Sequence, residues 1–170
     1  MNNIEKTKLF EASIYKGKVQ MPKGFEINPD VLISKLFQEN LLDNKFRSSN
    51  DFDKLNSYII EYMHVQCKLP LRFMHTWGDY YKSKTVTKPL RQLSPSFPEE
   101  TGNLVALYGI DVSNCFVRLQ YTDNKDVKCS DVIELKKNNF IFFPVNFVYQ
   151  ISSFQEKNFN FIQTIIYDAF

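Results

Sequence analysis

The strongest constraint on the fold is a succession of short apolar segments between residues 71 and 167. Turn-forming clusters of Asp, Asn, Ser, Lys and Gly separate most of them. Short strands at such regular spacing are typical of an antiparallel sandwich or barrel. The predicted strands are Leu71–Tyr81, Leu104–Ile110, Phe116–Tyr121, Val132–Leu135, Phe140–Phe143, Phe147–Ser152 and Phe159–Tyr167.

The first part of the chain has a different pattern. An opening strand is predicted at Lys8–Tyr15, with Gly17 ending it. A helix is predicted over Asn28–Asn44, because Asn28 can cap it and the following proline suits the first helical position. A second amphipathic helix is predicted over Phe52–Gln66, and it must end before Pro70. The chain is therefore predicted to contain two helices, each with one apolar face to bury.

Length and composition indicate one domain with a substantial core. The 170 residues are predicted to form a single domain, in which residues 1–70 hold the first strand and both helices and residues 71–170 form the β core. A formal net charge of +2 argues against a dedicated nucleic-acid or membrane-surface protein. The start of the sequence lacks the apolar core of a signal peptide, so we expect a protein that is not secreted by that route and stays in the cytoplasm.

The cysteines indicate a reducing compartment. Cys67, Cys115 and Cys129 are odd in number and widely spaced, and no CxxC motif occurs. We therefore predict free, buried thiols that pack as small apolar groups rather than a disulfide.

Three segments carry a resemblance to a known family. Thr76–Tyr81 resembles its tryptophan-bearing strand, Asn103–Tyr108 resembles the apolar strand that follows, and Asn138–Pro144 resembles its Phe-Pro strand. The family is that of the 2-oxoglutarate/Fe(II)-dependent oxygenases, in particular a branch common in marine phages. The resemblance implies an α+β fold, with N-terminal helices packed on an antiparallel double-stranded β-helix, or jelly roll.

The chemistry of that family is missing from the matching positions. Its iron site uses two histidines and one carboxylate, whereas this chain has two histidines in all, His64 and His75. The segment Lys88–Ser94 contains neither histidine nor carboxylate, and Tyr149 stands where the distal histidine is expected. The last strand, Asn160–Tyr167, has no arginine for 2-oxoglutarate. The resemblance therefore implies a degenerate member with no metal, no cofactor and no catalytic residues.

These observations predict that the protein is not an enzyme but a structural or protein-interaction module. The family resemblance makes a phage virion or virion-assembly protein the expected role, with other proteins as partners in a multi-subunit assembly, in the host cytoplasm or the virion. Arg91, Leu93 and Tyr149 are predicted to line a vestigial pocket. The residues predicted to bind a partner are Tyr80, Tyr81, Lys82, Lys84, Lys88 and Phe97.

Two other functions remain open at this stage. An oxygenase with a displaced metal site could gather His75, Asp79 and Asp111 from different strands. A single-stranded nucleic-acid module could use the basic segment Lys82–Arg91 with its adjacent tyrosines, although the balanced overall charge makes nucleic acid an unlikely partner. His64 and Cys67 lie three residues apart on the second helix, but no third ligand or base is visible beside them.

Overall fold

A computed structural model describes residues 5–9, 12–18, 30–31, 34, 50–91, 103–123, 125–154 and 159–170. The strands in chain order are β1 (Glu5–Leu9), β2 (Ala12–Lys18), β3 (Leu71–Lys82), β4 (Thr85–Val86), β5 (Leu104–Asp111), β6 (Cys115–Thr122), β7 (Lys128–Leu135), β8 (Asn139–Pro144), β9 (Val148–Ser153) and β10 (Phe159–Ala169). The helix α1 spans Asn50–Cys67.

The strands form two antiparallel sheets. The larger sheet has the order β1-β2-β8-β5-β10-β3, and the smaller sheet has the order β4-β9-β6-β7. Strand β3 is an edge strand of the larger sheet and pairs with β10 along its whole length, from Lys82 opposite Phe159 to Leu71 opposite Ala169. This arrangement confirms the predicted α+β jelly roll.

The inner faces of the two sheets enclose one core. On β6, Cys115, Val117 and Leu119 are buried whereas Arg118 between them is exposed, as expected when successive side chains point to opposite faces. The buried residues that fill this interior are Ile14, Val105, Leu107, Val112, Cys115, Val117, Leu119, Leu135, Ile141, Phe143, Phe147, Tyr149, Ile151, Ile162 and Ile166. Apolar side chains from both sheets therefore hold the two layers together.

A second core lies between α1 and the outer face of the larger sheet. Phe52, Leu55, Ile59 and Met63 recur at helical spacing on α1, and all four are buried. At this face, the Tyr167 hydroxyl of β10 donates a hydrogen bond of 2.8 Å to an Asn56 side-chain oxygen. The second predicted helix is thereby confirmed, and the central strands of the larger sheet are covered on both faces.

The N-terminal prediction was wrong in one respect. Lys8–Tyr15 is not one strand, because β1 and β2 form an antiparallel hairpin across it. Gly17 does not end a strand but lies within β2, opposite Phe140 of β8. A β-carbon at Gly17 would come within 2.5 Å of the Phe140 ring, so glycine allows this close approach of the two strands.

Two other predicted elements differ in extent. Strand β7 begins at Lys128, four residues before the predicted start at Val132, because its polar residues continue the alternation between the two faces. Of the predicted helix over Asn28–Asn44, residues 30, 31 and 34 are helical. The rest of that helix lies outside the described residues.

Two further findings concern predictions from composition. Cys67, Cys115 and Cys129 are free thiols, and Cys115 is fully buried. Burial raises the pKa of Cys115 to about 12, which keeps it protonated and unreactive at neutral pH. In the part of the chain that the structure describes, no helix is long and apolar enough to cross a membrane.

Candidate functional site

The inner face of β3 carries a row of polar and aromatic side chains. Trp77 is paired with Thr164 of β10, Asp79 with Ile162 and Tyr81 with Asn160. Directly opposed residues in an antiparallel pair share a face, and Ile162 belongs to the core between the sheets. Trp77, Asp79 and Tyr81 therefore face the jelly-roll interior. All three are half-buried because β3 is an edge strand.

Asp79 is the polar centre of this row. The Trp77 indole N–H donates a hydrogen bond of 2.8 Å to an Asp79 carboxylate oxygen. Burial raises the pKa of Asp79 above its ordinary value, and interactions with Trp77, Tyr81 and Thr164 partly offset that rise. The site therefore holds a carboxyl group whose proton affinity exceeds that of an exposed aspartate.

The surrounding groups are proton donors. The Tyr81 hydroxyl hydrogen-bonds to Asp79. The pKa of Tyr81 lies far above its ordinary value, chiefly because the hydroxyl is buried and, to a smaller extent, because of the charges on Asp79 and Tyr149. Tyr81 therefore stays protonated at any physiological pH. The Thr164 hydroxyl is buried beside the same carboxyl and is the third group that holds the pKa of Asp79 down.

His75 lies at the end of the row nearest the start of β3, opposite Ile166 of β10. It is exposed, and its ring stacks on the Trp77 ring with centroids 5.6 Å apart. The row thus runs from an exposed imidazole, through an indole, to a half-buried carboxyl group.

The displaced metal site predicted as an alternative is not assembled. Asp111 lies at the end of β5 and forms an ion pair of 3.3 Å with Lys137, whereas the Asp79 carboxylate accepts the hydrogen bond of the Trp77 indole. Among the described residues, no three His, Cys, Asp or Glu side chains gather in a way that could hold a metal ion.

The two histidines cannot serve one iron site of the oxygenase type. His64 is exposed on α1, which packs on the outer face of the larger sheet, whereas His75 is on the inner face. The described residues therefore do not fit the iron and 2-oxoglutarate that this fold holds in oxygenases. The absence of a metal and of a cofactor stays a prediction.

The predicted vestigial pocket is only partly described. Tyr149 is buried in the core between the sheets, where its ring packs 5.3 Å from that of Phe143. Its backbone pairs with Leu90, and the two N···O distances are 2.8 and 2.9 Å. Arg91 is exposed, and Leu93 lies outside the described residues. The structure thus places Tyr149 inside the jelly roll, and a pocket around all three residues stays a prediction.

The predicted partner-binding residues fall on two sides of the β3–β4 segment, in which β3 ends the larger sheet and β4 ends the smaller one. Tyr80, Lys82, Lys84 and Lys88 are exposed, whereas Tyr81 points inward to Asp79. Phe97 lies outside the described residues. Tyr81 is therefore placed to serve the interior site, and partner binding by the four exposed residues remains a prediction.

Sequence reasoning missed the buried amide side chains of β10. Gln163 donates to the Thr76 hydroxyl at 2.7 Å, and that hydroxyl donates to the Thr164 carbonyl at 2.6 Å, which fastens β3 to β10. Asn160 donates to the Ser153 hydroxyl at 2.8 Å and so links the two sheets. Both amides interrupt a largely apolar strand, and this interruption is the sequence feature that could have revealed them.

Comparisons with known proteins bear on the fold. No protein-family model matches the sequence, and no curated protein is significantly similar to it. The epimerase SnoN from nogalamycin biosynthesis superposes with a TM-score of 0.61 at 10% identity, over 91% of this chain and 78% of SnoN. AviO1 from Streptomyces viridochromogenes Tue57 gives 0.59 at 9% identity, over 91% and 89% of the two chains. A Pseudomonas putida prolyl-4-hydroxylase gives 0.58 at 7% identity, over 91% and 84%.

These likenesses correct one prediction. The fold is a jelly roll similar to that of 2-oxoglutarate/Fe(II) oxygenase-like proteins, as the resemblance implied, and also to that of the epimerase SnoN. SnoN is described as a non-heme alpha ketoglutarate dependent epimerase, and the Pseudomonas protein is a hydroxylase. The expectation that this chain is not an enzyme is therefore contradicted, because its neighbours are enzymes. At identities of 10% and below, the likeness shows the fold alone.

The single tryptophan offers a direct test of the Asp79 environment. Because Trp77 donates to Asp79, its fluorescence should titrate with a midpoint above the ordinary aspartate pKa. The folded state favours the neutral carboxyl group. The free energy of unfolding should therefore fall as pH rises from the ordinary aspartate pKa through the raised pKa of Asp79. We expect Asp79→Asn to remove both the fluorescence transition and this loss of stability, as measured by urea unfolding from pH 3 to 8.

Asp53→Asn, which changes an exposed carboxylate on α1, is the matched control and should leave the fluorescence transition in place. A midpoint at or below the ordinary aspartate pKa would contradict the burial of Asp79.

Proposed function

We propose that this protein is an enzyme that transfers protons on a small molecule, with Asp79 as the acid–base group. The observation that carries the proposal is the Asp79 carboxyl group, which the Trp77 indole and the Tyr81 hydroxyl hold on the inner face of an edge strand. A carboxyl with a raised pKa accepts and returns a proton more readily near neutral pH than an exposed one does. Its position on an edge strand leaves it partly open to solvent.

The reaction class that fits these groups is an isomerisation beside a carbonyl group. The Asp79 carboxylate would remove a proton from the carbon next to the carbonyl, and negative charge would develop on the carbonyl oxygen. A protonated donor such as Tyr81 would hydrogen-bond to that oxygen. Asp79 would then protonate the former carbonyl carbon of an α-hydroxycarbonyl compound, and the proton of the neighbouring hydroxyl group would pass to the former carbonyl oxygen. Because Asp79 is partly open to solvent, its proton can exchange with water before it is returned. The step conserves atoms and electrons and requires no metal or co-substrate.

The comparisons support the choice of an enzyme without naming its substrate. SnoN is an epimerase and the Pseudomonas neighbour is a hydroxylase, so this fold carries chemistry on small molecules and on prolyl groups. The described residues of this chain do not fit the iron and 2-oxoglutarate of such enzymes. We therefore assign proton transfer to the side chains that the chain does present to the interior.

The test measures carbon-bound proton exchange in D2O. The protein would be incubated with a panel of ketoses, aldoses and 2-oxo acids, and deuterium incorporation would be followed by NMR. We expect at least one compound to exchange, with a rate lowered about 10²- to 10⁴-fold in Asp79→Asn. Tyr81→Phe should lose about 10²- to 10³-fold if its hydroxyl stabilises the developing charge.

Asp53→Asn is again the control, because this exposed carboxylate on α1 lies outside the proposed site. An exchange rate that Asp79→Asn leaves unchanged would overturn the proposal. A panel that produces neither exchange nor a change in Trp77 fluorescence would also count against it.

A second candidate function is protein binding through the β3–β4 segment. Tyr80 and Val86 are 38% and 56% exposed there, beside the exposed ammonium groups of Lys82, Lys84 and Lys88. Exposed apolar side chains ringed by charge are a common feature of binding surfaces. Such a surface could serve a partner protein of acidic character, alongside the interior site.

The phage origin and the virion role predicted from the resemblance stay predictions. Purified particles that contain no band of this protein would count heavily against the virion role. Nucleic-acid binding through the same lysines would require an affinity that falls steeply with salt concentration. Binding that persists after charge removal at Lys82, Lys84, Lys88 and Arg91 would eliminate it.

A further inference from the structure

Strand β7 is an edge of the smaller sheet. It pairs with β6 without a bulge, from Lys128 opposite Thr122 to Leu135 opposite Cys115. It has eight residues and no proline, and no other described strand pairs with its outer edge. A regular edge of this length presents a row of backbone donors and acceptors to which another strand can add.

The outward side chains of β7 are not those of a strongly protected edge. Lys128, Ser130, Val132 and Glu134 alternate along its solvent face. Val132 is 58% exposed at the middle of the strand. The two charges at the ends have opposite signs, which gives the strand a polarity that an antiparallel partner can match.

We propose that a second copy of this chain pairs with β7, strand against strand and antiparallel, to form a symmetric dimer. A two-fold axis perpendicular to the sheet places the inner faces of both copies on the same side. Each residue then lies opposite a residue of the second copy whose number differs from its own by an even number or zero. With the axis at Asp131, Lys128 of each copy lies opposite Glu134 of the other. Opposite charges directly across an antiparallel pair are stabilising.

The charges select this register over its neighbours. If the axis moves one residue toward the C-terminus, Glu134 falls opposite Ser130 and Lys128 falls beyond the end of β7. If it moves one residue toward the N-terminus, Lys128 falls opposite Val132 and Glu134 falls beyond the start of β7. Both shifted registers therefore lose the two pairs of opposite charge.

The same register covers the exposed valine. Val132 lies opposite Ser130 of the second copy and diagonal to the second copy's Val132, within reach across the axis. Pairing therefore brings the two Val132 side chains together on the solvent face, with a charge pair on either side of them.

One residue opposes association. Asp131 would lie opposite its own symmetry copy on the inner face, where it accepts a 3.0 Å hydrogen bond from the Tyr121 hydroxyl. Two carboxylates facing each other weaken the pairing. The dimer is therefore a weak one, and Asp131→Asn should tighten it.

The test is sedimentation velocity over a wide range of concentrations, with charge reversals at the two ends of β7. We expect the wild-type chain to dimerise. Lys128→Glu and Glu134→Lys should each weaken dimerisation by about tenfold or more, because both symmetry-related charge pairs become pairs of like charge. An equimolar mixture of the two variants should form a heterodimer at wild-type strength, because every pair across the axis is again of opposite sign.

Lys125→Glu, in the turn before β7, is the matched control and should leave the dimer unchanged. Thermal melts followed by circular dichroism establish that each variant is folded. A chain that stays monomeric at every concentration overturns the proposal. Variants that dimerise as the wild type does, or a mixture that fails to associate, overturn the β7 register.

Discussion

Phe142→Ala should lower the free energy of unfolding by about 3–5 kcal/mol, the usual range for truncating a fully buried phenylalanine. Phe142 is 0% exposed in the core between the larger sheet and α1. Its ring stacks on that of Tyr167 at 5.5 Å and meets that of Phe140 edge-on at 5.2 Å. Truncation leaves a cavity that rigid strands on either side cannot close. Urea denaturation at constant pH measures the loss.

The matched control is Phe154→Ala, since Phe154 is 54% exposed. Its truncation should change the free energy of unfolding by about 0.5 kcal/mol or less, as for most surface positions. Losses of similar size for the two variants would contradict the placement of Phe142 in the core.

Gly109→Ala should also destabilise the fold, although it adds a single methyl group. A β-carbon at Gly109 would come within 2.5 Å of the Lys136 carbonyl oxygen and 2.7 Å of a Val112 methyl group. The Lys136 carbonyl belongs to the turn between β7 and β8, where it accepts the Asn139 N–H at 3.0 Å. Relief would therefore require backbone movement. We expect a loss of about 1–3 kcal/mol in the free energy of unfolding, or more.

Gly17→Ala provides the comparison, because its new β-carbon would meet the Phe140 ring rather than a carbonyl group. A ring can shift further than a hydrogen-bonded turn, so we expect the smaller loss at Gly17. Thermal unfolding of both variants ranks them, and a larger loss at Gly17 than at Gly109 would contradict this explanation.

The sequence patterns predicted most of the fold because they are local. Alternation along β6 and the three-to-four-residue spacing on α1 can be read without knowing what either element packs against. The family resemblance located Tyr149 by its distance from Pro144 as part of a vestigial pocket. The structure buries Tyr149 between the two sheets, and the pocket itself stays a prediction. The start of β7 was missed because Asp131 is polar on an inward position, where the Tyr121 hydroxyl satisfies it.

The prediction that the protein is not an enzyme failed for a different reason. It relied on the absence of one particular set of iron ligands, and that absence carries no information about other chemistry. His75 and Asp79 were considered as a metal pair, whereas the structure connects them through Trp77. The Asp79 pKa depends on burial and on hydrogen bonds from neighbouring side chains, and no spacing rule reveals these.

The sequence by itself determined the class of the fold: alternating strands behind an amphipathic helix, with enough apolar side chains to fill two layers. Only the tertiary structure decided which face of β3 points inward, and so which of its side chains meet. That choice depends on the pairing of β3 with β10, whose residues are more than seventy positions away along the chain. Strand periodicity is a local property, whereas the proton affinity of Asp79 arises from contacts made only after both sheets have closed.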